Sequence, residues 1–187
     1  MSWNLNERII IELMEKYVAF LRGINVGGHH RVPMPELRWE FGKMGFENIT
    51  SILNSGNVLF EVSENISEDK ISNQLESVFG FPIPTLTRKI DEIVNIYNES
   101  PFESVEVTSD IRLYVSFLKR EVDANLSLPW NSQDGSYTII EQKEKSIFSV
   151  LDLSVAKTPK AMEALEKYYG KDITTRNWNT IGRIVKT

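Results

Sequence analysis

The chain has 187 residues, of which 41% are hydrophobic and 25% are charged, and its formal net charge is -5 at pH 7. These values exclude a disordered chain and leave room for one large domain or two small lobes. The absence of cysteine excludes disulfides, thiolate metal sites and a cysteine nucleophile. No apolar run is long enough to span a bilayer, so we expect a cytoplasmic protein with no membrane partner.

Residues 1–15 are predicted to form an N-terminal extension that is helical. Ile9–Ile11 and Leu13 are apolar, but Glu12 and Glu15 interrupt the run. A signal peptide has a basic start and an uninterrupted apolar stretch, which this segment lacks. We therefore interpret it as a short amphipathic helix or an appended segment.

The first half of the remaining chain is predicted to follow the order βαββαβ. Its strands are recognised by compact apolar runs, and its helices by apolar residues three and four positions apart. Ser67 is placed to cap the second helix. In chain order we predict a strand buried on both faces at Tyr17–Leu21, a helix over Leu37–Met44 ended by Gly45, strands at Ile49–Leu53 and Val58–Val62, a helix over Ile71–Phe79 and an edge strand at Phe81–Thr87.

The second half is predicted to repeat this pattern after a helix over Asp91–Asn98. The predicted elements are a strand at Ile111–Phe117, a helix over Lys119–Leu126, strands at Tyr137–Ile140 and Ile147–Leu151, a helix from Thr158 to Gly170, an edge strand at Ile173–Thr175 and a C-terminal helix containing Trp178, Ile181 and Val185. We therefore expect an α+β protein with two duplicated βαββαβ lobes, residues 16–100 and 101–187, built on mixed or antiparallel sheets.

The segment Arg22–Pro35 is the most distinctive stretch of the sequence. Its glycines would let the backbone approach a ligand, and Arg22 and Arg31 would pair with a carboxylate or phosphate. Neither the P-loop nor the dinucleotide-binding glycine pattern is present. The alternative is a crossover loop in which the glycines only make turns. His29 and His30 are adjacent, so they point to opposite sides of an extended chain, and we predict a solvent-exposed pair and no metal site.

Two other polar segments are candidates for binding. Asn54–Asn57 between two predicted strands has the composition of a tight turn, which also accounts for it without a ligand. Arg176 and Asn177 stand before the last helix, where they would either face a ligand or pack and cap the helix. Together the three segments give the candidate binding residues Arg22, Asn25, Gly27, Gly28, Ser55, Asn57, Arg176 and Asn177.

Three segments together give a resemblance to a known family. Tyr17–Gly28, Ser55–Phe60 and Thr174–Thr180 resemble the bacterial domain-of-unknown-function 1697 family, from about Met14 to the C-terminus. The resemblance implies a duplicated ferredoxin-like α+β fold, and it makes residues 1–13 look like an extension or an upstream start. It implies no activity, because the family is named for lacking a known function, and the cofactor is unknown.

Three functions are compatible with these observations. The first is binding of a small anionic ligand through the loop that begins at Arg22. The second is an enzyme in which Arg22 and Asn25 stabilise developing charge. The third is a module that binds nucleic acid or protein. The acidic balance of the chain makes nucleic acid the less favoured partner, because phosphate contacts dominate that affinity. The sequence identifies no catalytic residue and no oligomeric state.

Overall fold

The protein is described by a computed structural model that covers residues 14–155 and 157–187. The chain separates into two compact units, the first ending at Ile93 and the second comprising Val94–Thr187. The predicted N-terminal helix falls almost wholly outside the described residues, and Glu15 opens the first strand. None of the helices within the described residues is long and apolar enough to cross a membrane.

The first unit is a four-stranded sheet with helices in the connections. Its strands lie in the order β2-β3-β1-β4, and every neighbouring pair is antiparallel. The elements are β1 (Glu15–Leu21), α1 (Met34–Lys43), β2 (Glu47–Ile52), β3 (Asn57–Val62), α2 (Glu68–Phe79) and β4 (Thr85–Lys89). Helix α3 (Ile90–Asn98) then runs across the point where the two units separate.

Strand β1 is the centre of the first unit. It pairs with β3 on one side and with β4 on the other. Val18, Ala19 and Phe20 are fully buried, although successive side chains of a strand point to opposite faces. The prediction that this strand is buried on both faces is confirmed. Both of its neighbours are therefore held in register by a strand whose last four residues are buried.

Helices α1 and α2 pack on one face of this sheet. Leu37 and Phe41 of α1 join Ile71 and Leu75 of α2 in one apolar core with alternate residues of β1 and β3. Ser67 caps α2 as predicted, because its hydroxyl accepts a hydrogen bond from the Lys70 amide. These contacts fix α1 and α2 on the sheet.

The second unit is a five-stranded antiparallel sheet in the order β6-β7-β8-β5-β9. The two helices that follow its last strands lie where the sequence predicts them. Its elements after α3 are β5 (Ile111–Leu118), β6 (Trp130–Asn131), β7 (Tyr137–Lys143), β8 (Ser146–Asp152), α4 (Thr158–Tyr169), β9 (Ile173–Asn177) and α5 (Trp178–Val185). The predicted edge strand and C-terminal helix are both present.

The helix expected at Lys119–Leu126 is absent, and this prediction was wrong. Residues 119–129 are irregular and carry no helix. Val122, Ala124, Leu126 and Leu128 pack against the core of the second unit, whereas the residues between them are exposed. Alternation with a period of two belongs to an extended chain and not to a helix. An extended segment therefore connects β5 to β6 and packs against the core, whereas α1 connects β1 to β2 in the first unit.

Taken together, the described residues form an α+β protein with two antiparallel sheets and five helices. All strand pairings are antiparallel, so no sheet is mixed. The two sheets differ in one edge, because β6 extends the second sheet beyond β7.

Candidate functional site

A small hairpin leaves the end of β1. The Val26–His29 turn has Gly27 at φ 62° and Gly28 at φ 80°, and the His29 amide donates to the Val26 carbonyl at 3.2 Å. Two consecutive positive φ values define the type I′ turn of a two-residue hairpin, which Gly-Gly adopts without strain. The Asn25 amide donates to the His30 carbonyl at 3.0 Å and continues the pairing. Both glycines are therefore required by the turn, and both are exposed.

Asn25 holds this hairpin at its base. Its side-chain Nδ2 donates to the carbonyl of Val32 at 3.0 Å and to the carbonyl of Asn54 at 2.8 Å. Its Oδ1 accepts a hydrogen bond from the Val32 amide at 2.9 Å. Its backbone has φ 55°, a region that asparagine tolerates better than most residues. One side chain therefore connects the two ends of the loop and ties the loop to the β2–β3 turn.

The loop after β1 and the β2–β3 turn lie at the same end of the first sheet. Because β1 and β3 are antiparallel, Phe20 near the end of β1 lies opposite Asn57 at the start of β3. The Leu21 amide donates to the Gly56 carbonyl at 2.8 Å and joins the two segments directly. Six of the eight candidate residues therefore lie at this end of the first sheet, which we call the candidate corner. They are Arg22, Asn25, Gly27, Gly28, Ser55 and Asn57.

A buried asparagine side chain holds the β2–β3 turn through hydrogen bonds. Asn57 is fully buried, and its Nδ2 donates to the Ile52 carbonyl at 3.0 Å and to Ser55 Oγ at 3.1 Å. A Cβ at Gly56 would lie 2.8 Å from Leu21 Cβ and 2.9 Å from Ile24 Cδ1. The amide of Asn57 is thus engaged in the turn itself, whereas Ser55 is exposed.

The basic side chains of this corner differ in their surroundings. Arg22 is half-buried, and its backbone amide donates to the Pro84 carbonyl at 2.9 Å. His30 stacks on Phe81 with ring centroids 4.3 Å apart, and Arg31 is exposed. Among residues 14–155 and 157–187, no three histidine, aspartate or glutamate side chains are grouped to hold a metal ion.

Arg176 and Asn177 lie in the second unit. Arg176 is 9% exposed, and its Nη1 donates to Thr174 Oγ1 and to the Thr175 carbonyl, both at 2.9 Å. Burial lowers the pKa of this guanidinium to about 10, so it remains protonated at neutral pH. Asn177 caps α5, because its Oδ1 accepts a hydrogen bond from the Asn179 amide at 2.9 Å. Both side chains thus have clear roles in building the end of the second sheet.

Two cavities contain residues that the sequence did not single out. One, of about 870 Å³, lies in the first unit between the end of α1, the end of β3 and the start of α2. The other, of about 560 Å³, lies in the second unit beside β6 and α4. No local sequence pattern marks the second cavity, because its lining combines residues 130–137 with residues of α4.

Comparison with known proteins places the chain among proteins without an assigned function. Residues 14–148 match the family model described as "Protein of unknown function (DUF1697)". No curated protein matches the chain. The conserved bacterial protein SP0830 from Streptococcus pneumoniae has a similar structure, with a TM-score of 0.66 and 25% identity over 92% of this chain and 98% of that chain.

A second solved structure, of an unknown protein from Galdieria sulphuraria, aligns with a TM-score of 0.24 and 16% identity over 88% of this chain and 98% of that chain. The family match covers the first unit, with both segments of its candidate corner, and extends into β8 of the second unit. The chain belongs to the DUF1697 family of proteins of unknown function.

Proposed function

We propose that the Arg22–Arg31 loop binds a small ligand that carries a carboxylate or phosphate group. The observation that carries this proposal is the local charge. The whole chain has a net charge of -5, yet residues 16–35 contain three lysine or arginine residues and both histidines, and no aspartate or glutamate. The residues 53–57 beside this loop also lack a carboxylate. An anion approaching this corner would meet no like charge from either segment.

The fixed geometry of the loop supports the same proposal. The hydrogen bonds of Asn25 hold the loop at its base, and the Val26–His29 turn fixes its tip. A loop that is already ordered loses less conformational entropy when a ligand binds. The exposed backbone of Gly27 and Gly28 lies at the tip of this ordered hairpin.

Within this proposal the candidate residues have different roles. Arg22 and Arg31 supply the guanidinium groups, which bind carboxylate and phosphate through paired hydrogen bonds. The backbone of Gly27 and Gly28 and the hydroxyl of Ser55 supply neutral contacts. Asn25 and Asn57 position the two segments, and Arg176 and Asn177 support β9 and α5. Function would then depend on the asparagines only through the geometry that they maintain.

The test is calorimetric titration of the full chain with inorganic phosphate and with citrate. Removing a charged hydrogen-bond partner costs about 1.5–3 kcal/mol, so Arg31→Ala should weaken binding by about 10- to 150-fold. Arg183→Ala is the matched control, because Arg183 is an exposed arginine of α5 in the second unit. Equal affinity of Arg31→Ala and the wild type, or equal losses in both variants, would count against the proposal.

A second candidate function is recognition of a protein partner by the same corner. Val26 is 68% exposed and Leu53 is 43% exposed, and the two segments that carry them are joined by Asn25. Two exposed aliphatic side chains on segments joined in this way would offer a partner apolar contact area. Val26→Ser separates the two candidates, because it removes apolar contact area and leaves the arginines in place. Unchanged anion affinity with lost partner binding would favour the second function.

We also propose that the chain forms two ferredoxin-like lobes, residues 16–100 and 101–187. In support, the first unit has the element order βαββαβ, and its last strand pairs with its first. The second unit pairs β9 with β5 in the same way. Arg88 and Arg176 are each the fourth residue of a five-residue edge strand that leads directly into a helix. This correspondence is what a duplicated lobe predicts.

A further inference from the structure

We propose that the second unit binds a heteroaromatic ring of nucleobase size in the cavity beside β6 and α4. We call this the aromatic cavity and define it by Trp130, Tyr137, Tyr168, Ala161, Ala164 and Gln133, all of which line it. Its volume of about 560 Å³ falls within the range of about 300–1,000 Å³ that is typical of small-molecule sites. The proposal concerns a different unit from the Arg22–Arg31 loop and does not depend on it.

Three aromatic side chains from three elements line this cavity. Trp130 of β6 and Tyr168 of α4 meet edge to face, with ring centroids 5.1 Å apart and planes at 66°. Tyr137 of β7 is 1% exposed and is therefore held firmly by the core. Trp130 and Tyr168 are only half-buried. A planar guest can gain stacking contact with rings that are partly open and already fixed in position.

Helix α4 leaves room for such a guest because it presents small side chains. Ala161 is 1% exposed and Ala164 is half-buried, and both line the cavity. A larger residue at position 164 would occupy the space between the helix and the aromatic rings. The cavity therefore follows from the sequence of α4 and from the position of β6.

The rim of the cavity is ordered by its own hydrogen bonds. Asp134 Oδ1 accepts from Ser132 Oγ at 2.7 Å, from Ser136 Oγ at 2.7 Å and from the Ser136 amide at 3.1 Å. This tight turn presents Gln133, which is exposed and lines the cavity. An amide side chain can donate to and accept from the edge of a heteroaromatic ring at the same time.

Lysine and carboxylate groups at the rim favour a ring with polar edges over a plain hydrocarbon. Lys167 Nζ lies 5.4 Å from the centroid of the Tyr168 ring, and Glu163 also lines the cavity. The charges of Lys167, Glu163 and Asp134 are mixed, so no strongly charged guest is selected. A nucleoside combines a stacking face, polar ring edges and no net charge, which suits this lining.

The experiment is a fluorescence and calorimetric titration of the full chain with adenosine, uridine and ribose. Stacking of a base on an aromatic side chain is worth about 1–3 kcal/mol, so Trp130→Ala should weaken nucleoside binding by about 5- to 150-fold. Trp39→Ala is the matched control, because Trp39 is 67% exposed on α1 of the first unit. It should leave the affinity unchanged, as should Arg31→Ala.

A second variant keeps the test valid if Trp130→Ala does not fold. Ala164→Leu retains all three aromatic residues and fills the space, so it should abolish nucleoside binding while the chain remains folded by circular dichroism. Three results would overturn the proposal. These are saturable binding of ribose equal to that of adenosine, no saturable binding of either nucleoside, and undiminished nucleoside binding by a folded Ala164→Leu.

Discussion

The side-chain amide of Asn25 donates a hydrogen bond to the backbone carbonyl of Asn54 at 2.8 Å, although 29 residues separate the two positions. The contact joins the loop after β1 to the turn between β2 and β3. It forms because antiparallel pairing of β1 with β3 brings both segments to one end of the first sheet. The corner that we propose as a ligand site thus depends on one asparagine.

Replacing Asn25 should therefore destabilise the first unit. Asn25→Gly keeps the conformational freedom needed at φ 55° but removes three side-chain hydrogen bonds, and we expect a loss of about 2–3 kcal/mol. Urea denaturation measures this change. Asn25→Asp is the informative companion, because it keeps the acceptor for the Val32 amide and loses both donors. A Gly variant as stable as the wild type would show that the tie is energetically unimportant.

Gly56 should tolerate no side chain, because space and backbone conformation both oppose one. Its φ is 77°, and an added Cβ would lie within 3 Å of both Leu21 and Ile24. We expect Gly56→Ala to cost about 2–5 kcal/mol, the sum of overpacking and left-handed strain. Gly27→Ala is the matched control at φ 62° with no atom within 4 Å, and it should cost only about 1–2 kcal/mol. If the two variants lost similar amounts of stability in thermal unfolding, left-handed backbone strain alone would account for the loss.

Glu40 should make the stability of the protein sensitive to acid. Its carboxylate is almost fully buried in α1 and accepts hydrogen bonds from Lys43 at 2.8 Å and Gln74 at 3.2 Å. The Lys43 hydrogen bond, more than any other contact, lowers the pKa of Glu40 below its ordinary value of 4.5. A lowered folded-state pKa contributes stability above the unfolded-state value, and that contribution is lost as the pH falls through the folded value.

Glu40→Gln isolates this effect. The difference in unfolding free energy between wild type and variant should be largest near neutral pH and should shrink as the pH falls below about 4.5. Chemical denaturation across this range, with Glu36→Gln on the exposed side of the same helix as control, provides the measurement. A difference that stays constant with pH would mean that the carboxylate has the same pKa in the folded and unfolded chain.

The extended segment 119–129 predicts an alternating pattern of tolerance to mutation. Leu126 packs against the core of the second unit, and Ser127 beside it is exposed. Leu126→Ala should cost about 1–2 kcal/mol, less than a fully buried leucine because the site is only half-buried, whereas Ser127→Ala should change stability by less than about 0.5 kcal/mol. If Ser127 and Leu126 proved equally sensitive, the alternation would not describe the packing.

The strands and capped helices were predictable because their signals are local. Val18–Leu21 is continuously apolar, and Ser67 stands before a helical spacing of apolar residues, so each element is specified by its own few residues. The prediction for residues 119–129 failed because polar and apolar residues alternate there although the segment forms no strand. Whether such a segment is extended or helical depends on the core that it covers.

The candidate corner was predictable in composition but not in its internal contacts. Glycines and asparagines marked both segments, yet the sequence did not show which of them point inward. The burial of Asn57 and the ties of Asn25 are consequences of β1–β3 pairing across 35 or more residues. Likewise, the aromatic cavity combines Trp130 with Tyr168 of α4, and no local pattern joins residues so far apart.

Helix α3 has a practical consequence for anyone who wishes to study the halves separately. The boundary between Ile93 and Val94 divides its nine residues into pieces of four and five, and isolated helices so short do not persist in water. Cutting after Ser100 keeps the helix whole but removes Tyr97 from its stacking partner Trp178, 5.3 Å away in the second half. Each fragment should therefore carry its own copy of α3, at the end of the first polypeptide and at the start of the second.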